Sequence, residues 1–150
     1  MNDRSTQLMN LPDELLLIIL KNLDNIDVLS SFIGLNARVE QLIHEPCFTA
    51  AIDFVKPKKN LCRSMDILID QFCFHILPKI HHLIRSLKVP STSTKRILRV
   101  ADYPNLSRLD IVLPNNESIV QLNGEYGHHM FDFLCPFYAK IYPVLFHFEP

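Results

Sequence analysis

Leu11-Pro12-Asp13-Glu14-Leu15-Leu16-Leu17-Ile18-Ile19-Leu20-Lys21-Asn22-Leu23 is the stretch on which the reading of this chain turns. Pro12 suits the start of a helix, where its missing N–H costs nothing, and Asp13 and Glu14 fall where the helix dipole favours negative charge. Leu15 to Leu20 are six consecutive apolar residues. At about 100° per residue they run right round a helix and leave it no polar face. Such a helix is either deep in a large domain or shared between its own core and a partner protein, and its place near the start of a short chain favours sharing. A buried strand is the competing reading of a short apolar run, but a strand gives no reason for proline followed by two acids. An ordinary core helix stays open as the alternative.

The chain has 150 residues, 48% of them hydrophobic, enough for one ordinary domain or a small module joined to part of another. Lys plus Arg number 15 against 16 Asp plus Glu, a formal net charge of −1, so no strong field favours nucleic acid or an anionic membrane. The small basic groups, Lys56, Lys58 and Lys59, and Lys95, Arg96 and Arg99, read as solvated turn or helix faces. Cys47, Cys62, Cys73 and Cys135 form no C-x-x-C pair, and the N-terminus lacks an apolar signal-like run, so a reducing compartment, cytoplasmic and/or nuclear, is expected. Cys62, Cys73, His75 and His81 lack the tightly paired spacing of zinc ligands; no metal and no cofactor are expected.

Residues 1–10 are polar and expected to be flexible. After the first helix, Asp24 can cap a second, with Val28, Leu29, Phe32 and Ile33 as its apolar stripe and Gly34 as its stop. Asn36 can cap a third, in which Val39, Leu42 and Ile43 point one way and Arg38, Glu40 and Gln41 the other, until Pro46 forces a break.

The order Leu11-Pro12-x-Glu14-Leu15, then Ile18, Leu20 and Leu23, then Asp27-Val28, then Leu35-Asn36-x-Arg38-Val39 resembles the F-box, a three-helix module. The third-helix part matches the family pattern loosely, and with no tryptophan in the chain the Trp often found at the Val39 position is absent. The resemblance implies binding to the Skp-type adaptor and, through it, to a cullin ubiquitin ligase. By that resemblance the adaptor-binding residues are Leu11, Pro12, Leu15, Ile19, Val28, Leu29 and Phe32.

Beyond Pro46, Phe48, Ala51, Ile52 and Val55 keep helical spacing, so residues 11–55 read as the module and a following helix, ending at the turn Pro57-Lys58-Lys59-Asn60. Residues 60–82 read as a linker helix opened by Ser64 or Asp66 and ended or kinked by Pro78. Ile84-Arg-Ser-Leu87-Lys-Val89 and Leu106-Ser-Arg-Leu109-Asp-Ile111 share their apolar positions at a spacing of 22 residues. That period resembles leucine-rich repeats, in which each short strand lies beside the next and returns through a helix. Ser93 or Thr94 can cap the return helix, with Ile97, Leu98 and Val100 on its apolar side, and residues 115–122 suit a second one. Residues 83–123 thus read as about two repeat-like units. Residues 124–150 read as an irregular apolar tail; Asp132, Lys140, Pro136 and Pro143 argue against a membrane span within it.

The expected fold is mostly α with some β: a three-helix F-box module, a helical linker and about two leucine-rich-repeat-like strand–helix units. No Gly-rich phosphate loop, Gly-x-Ser-x-Gly elbow or His-Glu-x-x-His pair is present, so a non-catalytic subunit is expected rather than an enzyme. The expected role is recruitment of a protein substrate to the ligase, with no nucleic acid or membrane as partner. The exposed positions of the repeat strands, Arg85, Ser86, Lys88, Ser107, Arg108 and Asp110, form the expected substrate face. Two rivals stay open: a truncated interaction protein that binds the adaptor without recognising substrate, and a small enzyme with an unrecognised site.

Overall fold

Local start and stop signals set the N-terminal helices. Pro12, with φ fixed at −57°, stands at the N-cap of α1 (Asp13–Leu20), and its carbonyl accepts the N–H groups of Leu15 and Leu16. Helix α2 (Asn25–Phe32) ends as expected near Gly34, whose φ of 77° lies in the left-handed region. A side chain there would meet only Lys79 Nζ, at 3.9 Å, so backbone conformation rather than space calls for glycine. Asn36 caps α3 (Ala37–Ile43), its Oδ1 accepting the Val39 N–H at 2.9 Å. In the computed structural model residues 8–55 and 64–113 are described in full and 118–123 by their backbone. The expectations for residues 1–7, for the 56–63 turn and for the 124–150 tail lie outside these.

Pro46 opens the short α4 (Pro46–Thr49), so the helical reading holds for Phe48 and fails from Ala51 on. Residues Ala51–Asp53 form strand β1. The Ala50 carbonyl accepts the N–H groups of Arg85 and Ser86, and the Phe54 N–H donates to the Lys88 carbonyl at 2.8 Å. Burial alternates across this run, with Ile52 and Phe54 inward and Ala51 exposed, and that period of two prevails over the helical spacing of the same residues.

Ser64 caps α5 (Met65–Gln71), which runs on through a wider π turn over Phe72–Ile76 into α6 (Leu77–Ile80). The π turn is the local answer to Pro78, which has no N–H to donate and whose ring crowds the preceding turn. The Leu77 N–H reaches back five residues to the Phe72 carbonyl, so the helix widens rather than stops. Strand β2 (Ser86–Pro90), helix α7 (Thr94–Val100) and strand β3 (Arg108–Val112) follow. The two strands are parallel neighbours, with Leu87 opposite Leu109 and Val89 opposite Ile111, which is the pairing expected from their 22-residue spacing. β1 lies parallel on the other side of β2, with Ile52 opposite Leu87. The sheet order is β1-β2-β3-β4.

A second correction concerns residues 115–122, read as a return helix. Ser118–Asn123 form strand β4, antiparallel to β3, with Val120 opposite Ile111 and Leu122 opposite Leu109. An antiparallel return needs no crossover helix, so the parallel stack of strands closes here.

The result is a mixed α/β fold with several helices and a small sheet whose first three strands are parallel. One continuous core joins its parts. It takes in Leu29, Val39 and Ile43 from the N-terminal helices, Phe54 and Phe72, packed edge to face with ring centres 5.1 Å apart, and Leu87, Ile97 and Leu109.

Candidate functional site

Helix α1 is divided along its length. Leu16 and Leu20 are 2% exposed and face the core, with Leu17 partly buried beside them. Leu15, Ile18 and Ile19 are 47%, 60% and 41% exposed. Positions three and four apart on a helix are neighbours, so these three side chains share one face. An outward face of Leu and Ile has no directional chemistry to offer. It offers area to be removed from water, about 1 to 2 kcal/mol for each half-exposed side chain that a partner covers.

Of the residues carried over from the F-box resemblance, Pro12, Leu15 and Ile19 are exposed, and Leu11 and Phe32 are half-buried. Val28 and Leu29, expected to face the adaptor, are 0% exposed. This corrects the sequence expectation: α2 turns its apolar stripe onto Leu20, Val39 and Ile43, and these two side chains belong to the core. Within residues 11–39 three exposed large apolar residues were missing from the expected set, Ile18, Leu23 and Leu35; Ile67 and Phe74, further along the chain, are exposed as well. Leu15 and Ile19 come from the resemblance; on a helical wheel Ile18 falls on the same face as these two. Leu23 and Leu35 lie beyond the ends of α1 and α2, where no periodicity applies.

A cleft of about 470 Å³ adjoins the C-terminal end of α1. Leu23 and Ile26 line it together with the polar Asn22, Asp24, Asn25 and Asp53. The Asn25 amide crosses to the Ala51 carbonyl at 3.1 Å and so ties α2 to the edge of the sheet.

The polar positions expected to form a substrate face do come together. Ser86 lies opposite Arg108 in the sheet, and Lys88 has Asp53 on one side and Asp110 on the other. Lys88 Nζ is 4.0 Å from Asp53 Oδ2, and Arg108 Nη2 is 3.0 Å from Asp110 Oδ2. Arg85 and Ser107 precede these strands, and the Ser107 hydroxyl donates to the Arg85 carbonyl at 3.1 Å. Asp110 was expected to be exposed but is 7% exposed, its carboxylate held by Arg108 Nε and Nη2. A buried carboxylate needs such a partner, so Asp110 orders the face rather than offering itself to a ligand.

Among the described residues no group of three or more His, Cys, Asp or Glu side chains is placed to hold a metal ion. Of the cysteine and histidine set weighed from sequence, Cys62 is outside the described residues, Cys73 is buried and His75 exposed. His81 Nδ1–H donates to the Asp102 carbonyl at 2.6 Å. Burial pushes the Cys73 thiol above its ordinary pKa, with Arg96 opposing and Asp70 adding to the rise, so it is a neutral filler at physiological pH. No helix among the described residues is long and apolar enough to cross a membrane.

Compared with protein-family models, curated proteins and solved structures, the chain matches none.

Proposed function

We propose that this chain is a substrate-recruiting subunit of a Skp–cullin–F-box ubiquitin ligase. In this reading the N-terminal helices dock on the Skp-type adaptor, and the sheet beyond them, read as short leucine-rich-repeat-like units, offers the polar face around Ser86, Lys88 and Arg108 to a protein substrate. The observation that carries the reading is the division of α1, with Leu16 and Leu20 in the core and Leu15, Ile18 and Ile19 outside. A helix with apolar residues on both faces is stable in water when a partner covers the second one. The motif order of residues 11–39 names the partner by resemblance. No catalytic role is assigned to the chain; transfer of ubiquitin belongs to other subunits.

Affinity capture of the full chain with identification of what it retains tests this. The adaptor and a cullin are expected to co-purify. Retention of neither refutes the reading.

A further inference from the structure

Arg38 is one of the polar residues of α3, yet its guanidinium does not simply face water. Nε donates to Asp13 Oδ1 at 2.7 Å, Nη1 to the Met9 carbonyl at 2.6 Å and Nη2 to the Leu11 carbonyl at 2.5 Å. Nη2 also lies 2.6 Å from Asp13 Oδ1. Two residues earlier, Asn36 Nδ2 donates to Met9 Sδ at 3.5 Å. All these acceptors lie in residues 9–13, just before and at the start of α1, 25 to 29 positions back in the chain. A planar fork with five N–H donors can meet three acceptors in different directions at once; an ammonium on a flexible stem holds such a set poorly. The side chains of Arg38 and Asp13 are 43% and 52% exposed, so the contact lies outside the core.

We propose that Arg38 is the positioning residue of the docking surface: it fixes residues 9–13 so that Leu11 and Pro12 stand at the N-terminal end of the patch formed by Leu15, Ile18 and Ile19. The proposal rests on the adaptor-docking reading above. Within the segment the Leu11 N–H donates to the Leu8 carbonyl at 3.2 Å, while Pro12 has no N–H to add, and the guanidinium supplies the tie to another helix. Without it the segment has to be ordered at the moment of binding. A surface that is competent a tenth of the time binds about tenfold more weakly.

The test uses the full chain and two variants. Arg38→Met keeps the stem and removes every donor; Arg38→Lys keeps the charge without the fork. Amide hydrogen exchange at Leu11, Leu15 and Leu16 is followed beside that at Ile43, and purified Skp-type adaptor is titrated into each protein. In Arg38→Met, exchange at Leu11 and Leu15 is expected to quicken on the order of tenfold while Ile43 stays protected, and adaptor affinity to fall about tenfold. Arg38→Lys is expected to remain defective. Unchanged exchange at Leu11 and Leu15, unchanged affinity in Arg38→Met, full recovery in Arg38→Lys, or loss of protection at Ile43 overturns the proposal, the last because Arg38 would then be holding the whole fold. A wild-type chain that fails to bind adaptor refutes the docking reading instead, and the exchange measurements still decide whether Arg38 fixes the segment.

Discussion

Tyr103 is 1% exposed, and its hydroxyl donates to the Ile97 carbonyl at 2.7 Å. Ile97 is in the last turn of α7, where carbonyls lack partners within the helix, so the phenol serves as a side-chain cap. Burial, and after it the nearby Cys73, pushes the Tyr103 pKa well above its ordinary value. A phenol whose folded pKa lies above the unfolded value of about 10 contributes stability that is complete below that pH and is lost as pH rises through the folded pKa. Tyr103→Phe is therefore expected to cost about 1 to 2 kcal/mol at pH 7. The difference from wild type should shrink as pH climbs above about 10, read from urea unfolding at a series of pH values. A difference independent of pH up to the alkaline limit would contradict this account of Tyr103. What sequence can say of a single residue is bounded in the same way. The helical pattern correctly puts Arg38 on the polar side of α3, but its acceptors are set by how α3 packs on the start of α1, and no spacing within α3 encodes that.

The helices were legible where their signals are local. Pro12, Gly34, Asn36 and Ser64 each act on backbone within a few residues, and each stands where a start or stop was expected. The parallel pairing of β2 and β3 was legible because a repeat carries its register in its own spacing. β1 was hidden: three residues that fit a helical pattern as well as a strand are recruited by β2, far along the chain. β4 was hidden for a related reason, since its direction follows from its pairing with β3 rather than from its own residues. Leu87 and Leu109 face each other in the sheet, both 0% exposed. Leu87→Ala or Leu109→Ala is expected to cost about 2 to 5 kcal/mol by leaving a core cavity. Unchanged denaturant midpoints in both variants would show that this pairing is not part of the core.

A boundary near residues 57–60 suggests separate units, yet buried side chains from both sides of it pack into one core, and Lys79 reaches Glu40 on α3 at 3.2 Å. Chains with one core generally unfold in one step. Leu29→Ala and Leu109→Ala are therefore expected to shift a single denaturant transition observed by helical circular dichroism and by tyrosine fluorescence alike. Two separated transitions, each sensitive to one variant, would mean that the N-terminal helices stand alone. The outer face of α1 bears on the whole molecule too, because in the proposed function it is the surface through which the chain joins a complex. The most direct measurement is titration of purified Skp-type adaptor into the wild-type chain and a Leu15→Asp, Ile19→Asp double variant, with circular dichroism recorded on both. The variant is expected to keep its helical spectrum and to bind at least about a hundredfold more weakly, since a charge replaces apolar contact at two positions. Undiminished binding, or unfolding with no folded but unbound state, would contradict the division of α1 between core and partner.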